Sequence, residues 1–144
     1  MADSPLPNPN RYITDNAEDG SSLFSTVLDE SLPVVNNLGG ALVRLGYAAD
    51  PSPAVLTHAT DLDRYQTALN RCPPPLVPVG GGTHVWYIDT PPEGESPMHR
   101  TASLDFVVVV AGEVELTLSS GEQRRLKPGR TGHPAVDSTP VAQP

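Results

Sequence analysis

His99, Thr101 and Asp105 lie within one stretch of seven residues, directly ahead of the most strand-like run in the chain, Phe106–Ala111. An imidazole can take and return a proton near neutral pH, because its unperturbed pKa is about 6.5. A nearby carboxylate would orient such a ring and favour its charged form. The same two side chains, entering one strand region, could instead be two ligands of a divalent transition metal (Fe, Mn, Ni or Zn). Such an ion asks for three or more protein donors at fixed geometry, and His133 would be the third if the link after Gly129 turned back inward. Plainer uses stand beside these: His99 as a half-buried ring bonded to a neighbouring strand, and Asp105 as the cap of a turn.

A small-molecule pocket beside this group would draw on His84, Trp86, Met98 and Thr101. His84, Trp86 and Ile88 share one face of the strand pattern Thr83–Asp89. Trp86, Tyr87 and Met98 offer flat or soft surfaces that suit an aromatic ligand, and core packing would use them equally well. On that face His84 reads as lining a pocket or filling the core rather than as a metal ligand. His58 falls in a loop and is expected to be solvated. Cys72, the single cysteine, has only Arg71 as a basic neighbour, so thiolate catalysis is not expected and no intramolecular disulfide can form. The glycines at 80–82 precede a strand rather than a helix and lack a following lysine, so they do not make a phosphate loop.

Short strands must position these groups. Residues 1–37 are expected to form an extended arm, loose over residues 1–10, with Arg11–Thr14 available as an edge strand and Asp15–Gly20 as a polar turn. Leu23, Phe24, Val27 and Leu28 would follow as a short helix or an irregular clamp. Residues 38–129 form the expected β domain. Its first strand begins at Ala41, with Gly39 and Gly40 bending the chain into it. Thr60–Asn70 is the one helix pattern: Thr60 can cap, Asp61 and Asp63 complement the dipole, and Leu62, Tyr65 and Leu69 share a face. Phe106–Ala111 is continuous apolar. Val114, Leu116 and Leu118 then alternate inward, Ser119–Gly121 turns the chain, and Glu122–Leu126 returns. Glu113, Glu115, Glu122, Arg124 and Arg125 read as solvent-facing, cross-strand charges. Residues 130–144 contain three prolines and no strand pattern, which predicts a disordered tail.

A length of 144 residues favours a single domain. Only 38% of it is hydrophobic, and 17 prolines with 12 glycines favour loops and short strands over a large core. The net charge of −8 argues against nucleic acid and against an anionic membrane surface as partners. No apolar run approaches the roughly 18 residues that span a bilayer, and Met1–Asn10 has no basic region followed by an apolar run. A soluble, cytoplasmic protein is the expectation. The class these patterns predict is all-β, a sandwich or barrel with one short helix.

The stretch Gly94–Gly112 resembles the first motif of the cupin family, which sets a glycine, a His-x-His pair, a glutamate and a closing glycine on a small jelly-roll barrel. More narrowly, Pro91–Glu115 and the opening Leu6–Thr14 resemble fungal cupin-domain proteins of secondary-metabolite clusters. These include oxidoreductases of salicylaldehyde-type polyketide pathways. The resemblance places His99 at the first ligand histidine, Thr101 at the second and Asp105 at the glutamate, with six residues between Asp105 and Gly112. The motif's first glycine position falls on Glu93. After Gly129 the family's valine-rich strand and Arg-Gly-Thr-x-His stretch are replaced by Arg-Thr-Gly-His133-Pro, so the barrel is expected to be incomplete at its C-terminal side.

The resemblance implies an oxidoreductase or accessory enzyme acting on an aromatic or polyketide intermediate, with His99 and Asp105 as its chemical groups. Two other readings stay beside it: a non-catalytic small-molecule-binding cupin, and a truncated, inactive family member. Strand edges left by an incomplete barrel would be covered in a homodimer.

Overall fold

Ala41–Ala49 carries alternating large apolar side chains and forms the longest strand of the described chain. The structure, a computed structural model, describes residues 6–71, 73–78, 80–129 and 131–132. The chain divides into two units, residues 1–90 and 91–144. The first unit contains β1 (Thr14–Asn16), β2 (Ser22–Phe24), β3 (Asn36–Leu38), β4 (Ala41–Ala49), α1 (Thr60–Leu69) and β5 (Thr83–Asp89). The second contains β6 (Val107–Val108), β7 (Val114–Thr117), β8 (Gln123–Leu126) and β9 (Thr131–Gly132).

In the first unit β3, β4 and β5 form an antiparallel sheet with β4 in the centre. Gly39 and Gly40 have φ of 62° and 103°, which is why two glycines make the β3–β4 turn. The β4–β5 register shifts between Leu45 and Tyr47, where Gly46 is the extra residue of a bulge. Helix α1 packs on β4 through Tyr65, which is fully buried together with Leu45 and Ala48. The Tyr65 hydroxyl donates to the Leu45 carbonyl at 2.6 Å and accepts a bond from Arg11 Nη1. Burial pushes the Tyr65 phenol up, and the Arg11 charge beside it partly offsets that.

The helix falls where the sequence predicts it, with Leu62 and Tyr65 inward. Its start differs. Ala59, at φ 53°, occupies the N-cap without a side-chain bond, and Thr60 Oγ1 instead donates back to the Thr57 carbonyl at 2.7 Å. A single 3-10 turn over Thr57–Ala59 brings that carbonyl within reach, so the hydroxyl is spent on the turn.

The N-terminal arm is hydrogen-bonded rather than simply extended. Backbone bonds join Arg11 to Glu30 and Leu32 to Pro9, and β1 pairs with β2. The edge strand begins at Thr14, where the expected Arg11–Thr14 ends, and Leu23 and Phe24 belong to exposed β2 rather than to a helix or an irregular clamp. Asn8 anchors the arm by accepting from Arg44 Nε at 2.8 Å. Arg44 is itself buried and pairs with Asp89 at 2.6 Å. This pull turns Asp89 inward and leaves Ile88 exposed, reversing the alternation that holds at His84 and Trp86. Gly82 also has a packing reason: a Cβ there would sit 2.4 Å from the Ala49 carbonyl oxygen.

In the second unit the β7–β8 hairpin follows the expected course, turning through Leu118–Glu122. All four residues of β7 are half-buried, so the expected inward alternation is muted. Arg125 faces Glu115 across the ladder at 3.4 Å and Glu113 at 3.3 Å, while Lys127 reaches Glu113 at 3.1 Å. The Lys127 ammonium first, and Arg125 after it, hold the Glu113 carboxyl below its ordinary range. Within the predicted strand Phe106–Ala111, the ladder among the described residues pairs Val107 with Gly132 and Val108 with Thr131. A continuous apolar run does not say which of its residues find a partner. Strand β9 falls where the sequence shows no strand pattern, because two backbone pairs need none.

The described strands thus form four separate antiparallel sheets with one helix, and no sheet closes on itself. The all-β class with a single short helix holds among the described residues, whose separate sheets do not close into a barrel. No helix of the described chain is long and apolar enough to cross a membrane.

Two substitutions test this account. Tyr65→Phe leaves the Leu45 carbonyl and an Arg11 donor without their partner, so urea unfolding should show a loss of about 1–3 kcal/mol. Asp89→Ala strands the buried Arg44 charge, and the same measurement should give a larger loss of about 3–5 kcal/mol. Equal, negligible losses would show that neither contact holds the sheet.

Candidate functional site

The segment between β5 and β6 carries most of the predicted site. It opens with a turn in which Gly94 N donates to the Pro91 carbonyl at 3.0 Å. Glu93 adopts φ 59° there, a conformation favoured by glycine, at the position where the cupin motif has its first glycine. The chain then runs without regular secondary structure from Gly94 to Thr101. Proline at 97 denies a ladder donor in this stretch.

His99 stands exposed on this segment, not half-buried against a strand. Its Nδ1 lies 2.8 Å from the Pro97 carbonyl oxygen. A carbonyl can only accept, so the bond requires a proton on Nδ1 and leaves the lone pair of the neutral ring on Nε2. That is the atom from which the ring can accept a proton or bind a metal. Met98 beside it is also exposed.

Asp105 Oδ1 accepts from Ser103 Oγ at 2.7 Å, and Ser103 Oγ lies in a close hydrogen bond with Thr101 Oγ1. The serine hydroxyl has one proton and the carboxylate has none to give, so the direction is fixed: Thr101 donates to Ser103, and Ser103 donates to Asp105. Ser103 N also donates to Thr101 Oγ1 at 3.1 Å. The result is a compact, half-buried turn in which three alternating side chains form one polar chain. Ser103 is the member that the sequence reading did not single out. Its signal is the hydroxyl–hydroxyl–carboxylate alternation at 101, 103 and 105. No hydrogen bond or ion pair joins His99 to Asp105; each is held by its own chain neighbour.

His84 and Trp86 lie on β5, both half-buried, with ring centroids 5.8 Å apart in an edge-on arrangement. Trp86 Nε1 donates to the Leu76 carbonyl at 3.1 Å, while His84 Nδ1 is buried with no hydrogen-bond partner among the described residues. His58 is exposed, as expected. Cys72 and His133 lie outside the described residues, as does all of the predicted tail except Thr131 and Gly132. Among the described residues no three His, Cys, Asp or Glu side chains come together in a group that could hold a metal ion. The described donors by themselves therefore do not fit the metal centre that the cupin motif implies.

No family model matches the chain. Individual proteins do. Over 124 residues it is 42% identical to phomopsin biosynthesis cluster protein C' of Diaporthe leptostromiformis, covering 86% of this chain and 65% of that protein. Over 129 residues it is 36% identical to oryzines biosynthesis cluster protein J of Aspergillus oryzae, covering 90% of this chain and 71% of that protein. A cupin-domain-containing oxidoreductase of Neurospora crassa is 37% identical over 124 residues, covering 86% of this chain and 60% of the relative. The chain thus spans 65% of the length of the phomopsin-cluster protein. With a third of its residues shared over 71% of that protein's length, the chain belongs to the family of oryzines biosynthesis cluster protein J, and it is similar to cupin-domain-containing oxidoreductases.

Proposed function

We propose that the protein takes part in fungal secondary-metabolite biosynthesis as a cupin-type oxidoreductase or accessory enzyme acting on an aromatic or polyketide intermediate. The observation that carries this reading is the 36% identity over 129 residues to oryzines biosynthesis cluster protein J, together with the likeness to named cupin-domain oxidoreductases. The proposed arrangement of the short antiparallel strands is a jelly roll of the cupin kind, and a homodimer would cover the exposed residues Leu104, Val108 and Val110.

In this reading His99 is the proton-transfer group. The Pro97 carbonyl holds Nδ1–H, so Nε2 presents the lone pair on an exposed ring. The Thr101–Ser103–Asp105 chain would orient a polar group of the substrate and keep the carboxylate at the start of β6. Where a transition metal serves the chemistry, His99 and Asp105 would need a further donor, for which His133 is the proposed candidate. A non-catalytic ligand-binding role is the second reading. It is favoured by the fact that His99 and Asp105 are each satisfied locally rather than by one another.

Three measurements test these statements. Nitrogen-15 NMR of the neutral His99 ring should show Nδ1 protonated and Nε2 bare; the opposite tautomer would remove the Pro97 contact. Elemental analysis of the purified chain should find about one transition-metal ion, lost in His99→Ala, if the three-donor set forms. In the producing host, a folded His99→Ala protein should leave the same accumulated intermediate as deletion of the gene. Full restoration of product by that variant would defeat the catalytic reading and leave the binding one.

A further inference from the structure

The first unit has a cleft of its own where α1 passes over the sheet, with a volume of about 130 Å³. Arg64 and Arg71 line it from α1 and the turn just beyond, and His84 lines it from β5. The two arginines are seven positions apart, close to two helical turns, so they share the side of α1 that carries Thr67 and Ala68. Both are exposed, and among the described residues neither guanidinium has a hydrogen bond or ion pair. Asp50 lies in the same lining without pairing to either. Thr67 spends its hydroxyl proton on the Asp63 carbonyl at 2.8 Å, so donation into the cleft falls to the arginines. Ala48 and Ala68 add an apolar surface.

We propose that this cleft binds a small organic carboxylate, with Arg64 and Arg71 gripping the anionic group and the short apolar body resting on Ala48 and Ala68. A guanidinium fork matches a carboxylate in one plane with two parallel bonds. Asp50 disfavours a doubly charged phosphate more than a singly charged carboxylate, because the repulsion scales with the charge brought in. The volume is well below the roughly 300–1,000 Å³ of drug-sized pockets. The ligand is therefore a few heavy atoms in size, or the acidic end of a longer molecule. Two unpaired guanidiniums in one cleft are an available anion site on a chain with 17 acidic residues against 9 basic ones. His84, which lines the same cleft, keeps its Nδ1 buried and without a hydrogen-bond partner among the described residues. None of these residues belongs to the His99 segment, so the site stands or falls independently of the proposed reaction.

Trp86, the chain's single tryptophan, packs edge-on against His84 and reports on the cleft. Sodium propionate, sodium phosphate and sodium chloride would be titrated into the full chain, read by Trp86 emission and by calorimetry. Propionate should saturate, phosphate should bind more weakly, and chloride should give no saturable change. The double variant Arg64→Gln, Arg71→Gln should weaken propionate by at least about tenfold with helicity unchanged by circular dichroism. Arg64→Lys, which keeps the charge and loses the fork, should fall between the two. A flat response in both readouts, an unchanged affinity in the double variant, or phosphate bound as tightly as propionate would each overturn the assignment.

Discussion

The bond from the Tyr65 hydroxyl to the Leu45 carbonyl is the contact on which the first unit depends. Leu45 borders the bulge at Gly46, where the ladder to β5 slips by one residue and regular strand pairing is interrupted. The helix answers from the other side by sending a phenol down to that carbonyl, at 2.6 Å, through a fully buried ring. Arg11 then reaches Tyr65 twice, through its hydroxyl and over its face with the guanidinium carbon 4.9 Å from the centroid. One side chain thereby ties the helix, the central strand and the N-terminal arm together. Among the described residues the buried cluster at the centre of the unit is Leu45, Ala48 and Tyr65, with Leu28, Val35, Ala68 and Leu69 packed against it.

The Arg44–Asp89 pair plays the corresponding part on the rest of the sheet. A charge with 5% of its side chain exposed persists because Asp89 and Asn8 satisfy it. Asn8 also donates to the Leu32 carbonyl at 3.1 Å, which brings the arm down onto the sheet. The second unit is held differently, by a regular hairpin whose charges cluster about Arg125 and Lys127 on the surface. Exposed pairs of this kind contribute little each, so the hairpin rests mainly on its backbone ladder and half-buried strand.

Much of the candidate site was legible before any coordinate. His99, Thr101 and Asp105 announce themselves by type and spacing, and the glycine position of the motif survives as a left-handed conformation even though Glu93 occupies it. What could not be read was how these groups divide their hydrogen bonds. Histidine and aspartate six apart suggest a pair, yet local partners two residues away are reached at lower entropic cost: Pro97 for the ring and Ser103 for the carboxylate. The cleft beneath α1 was equally hidden. Arg64 and Arg71 look like ordinary surface charges until the helix is laid on the sheet beside His84.

Sequence alone determined the class and the local elements: the helix from its cap-side acids and apolar face, the hairpin from its turn at Ser119–Gly121, and β5 from its alternation. Those features depend on contacts within a few residues, and side-chain period records them directly. Tertiary structure decided what requires a partner distant in the chain. It set that Val107 and Val108 pair with Gly132 and Thr131, that Asp89 rather than Ile88 turns inward to Arg44, and that Gly82 must lack a side chain beside Ala49. In each case the deciding atom belongs to a segment tens of residues away, or to a strand with no pattern of its own, and no local periodicity carries that information.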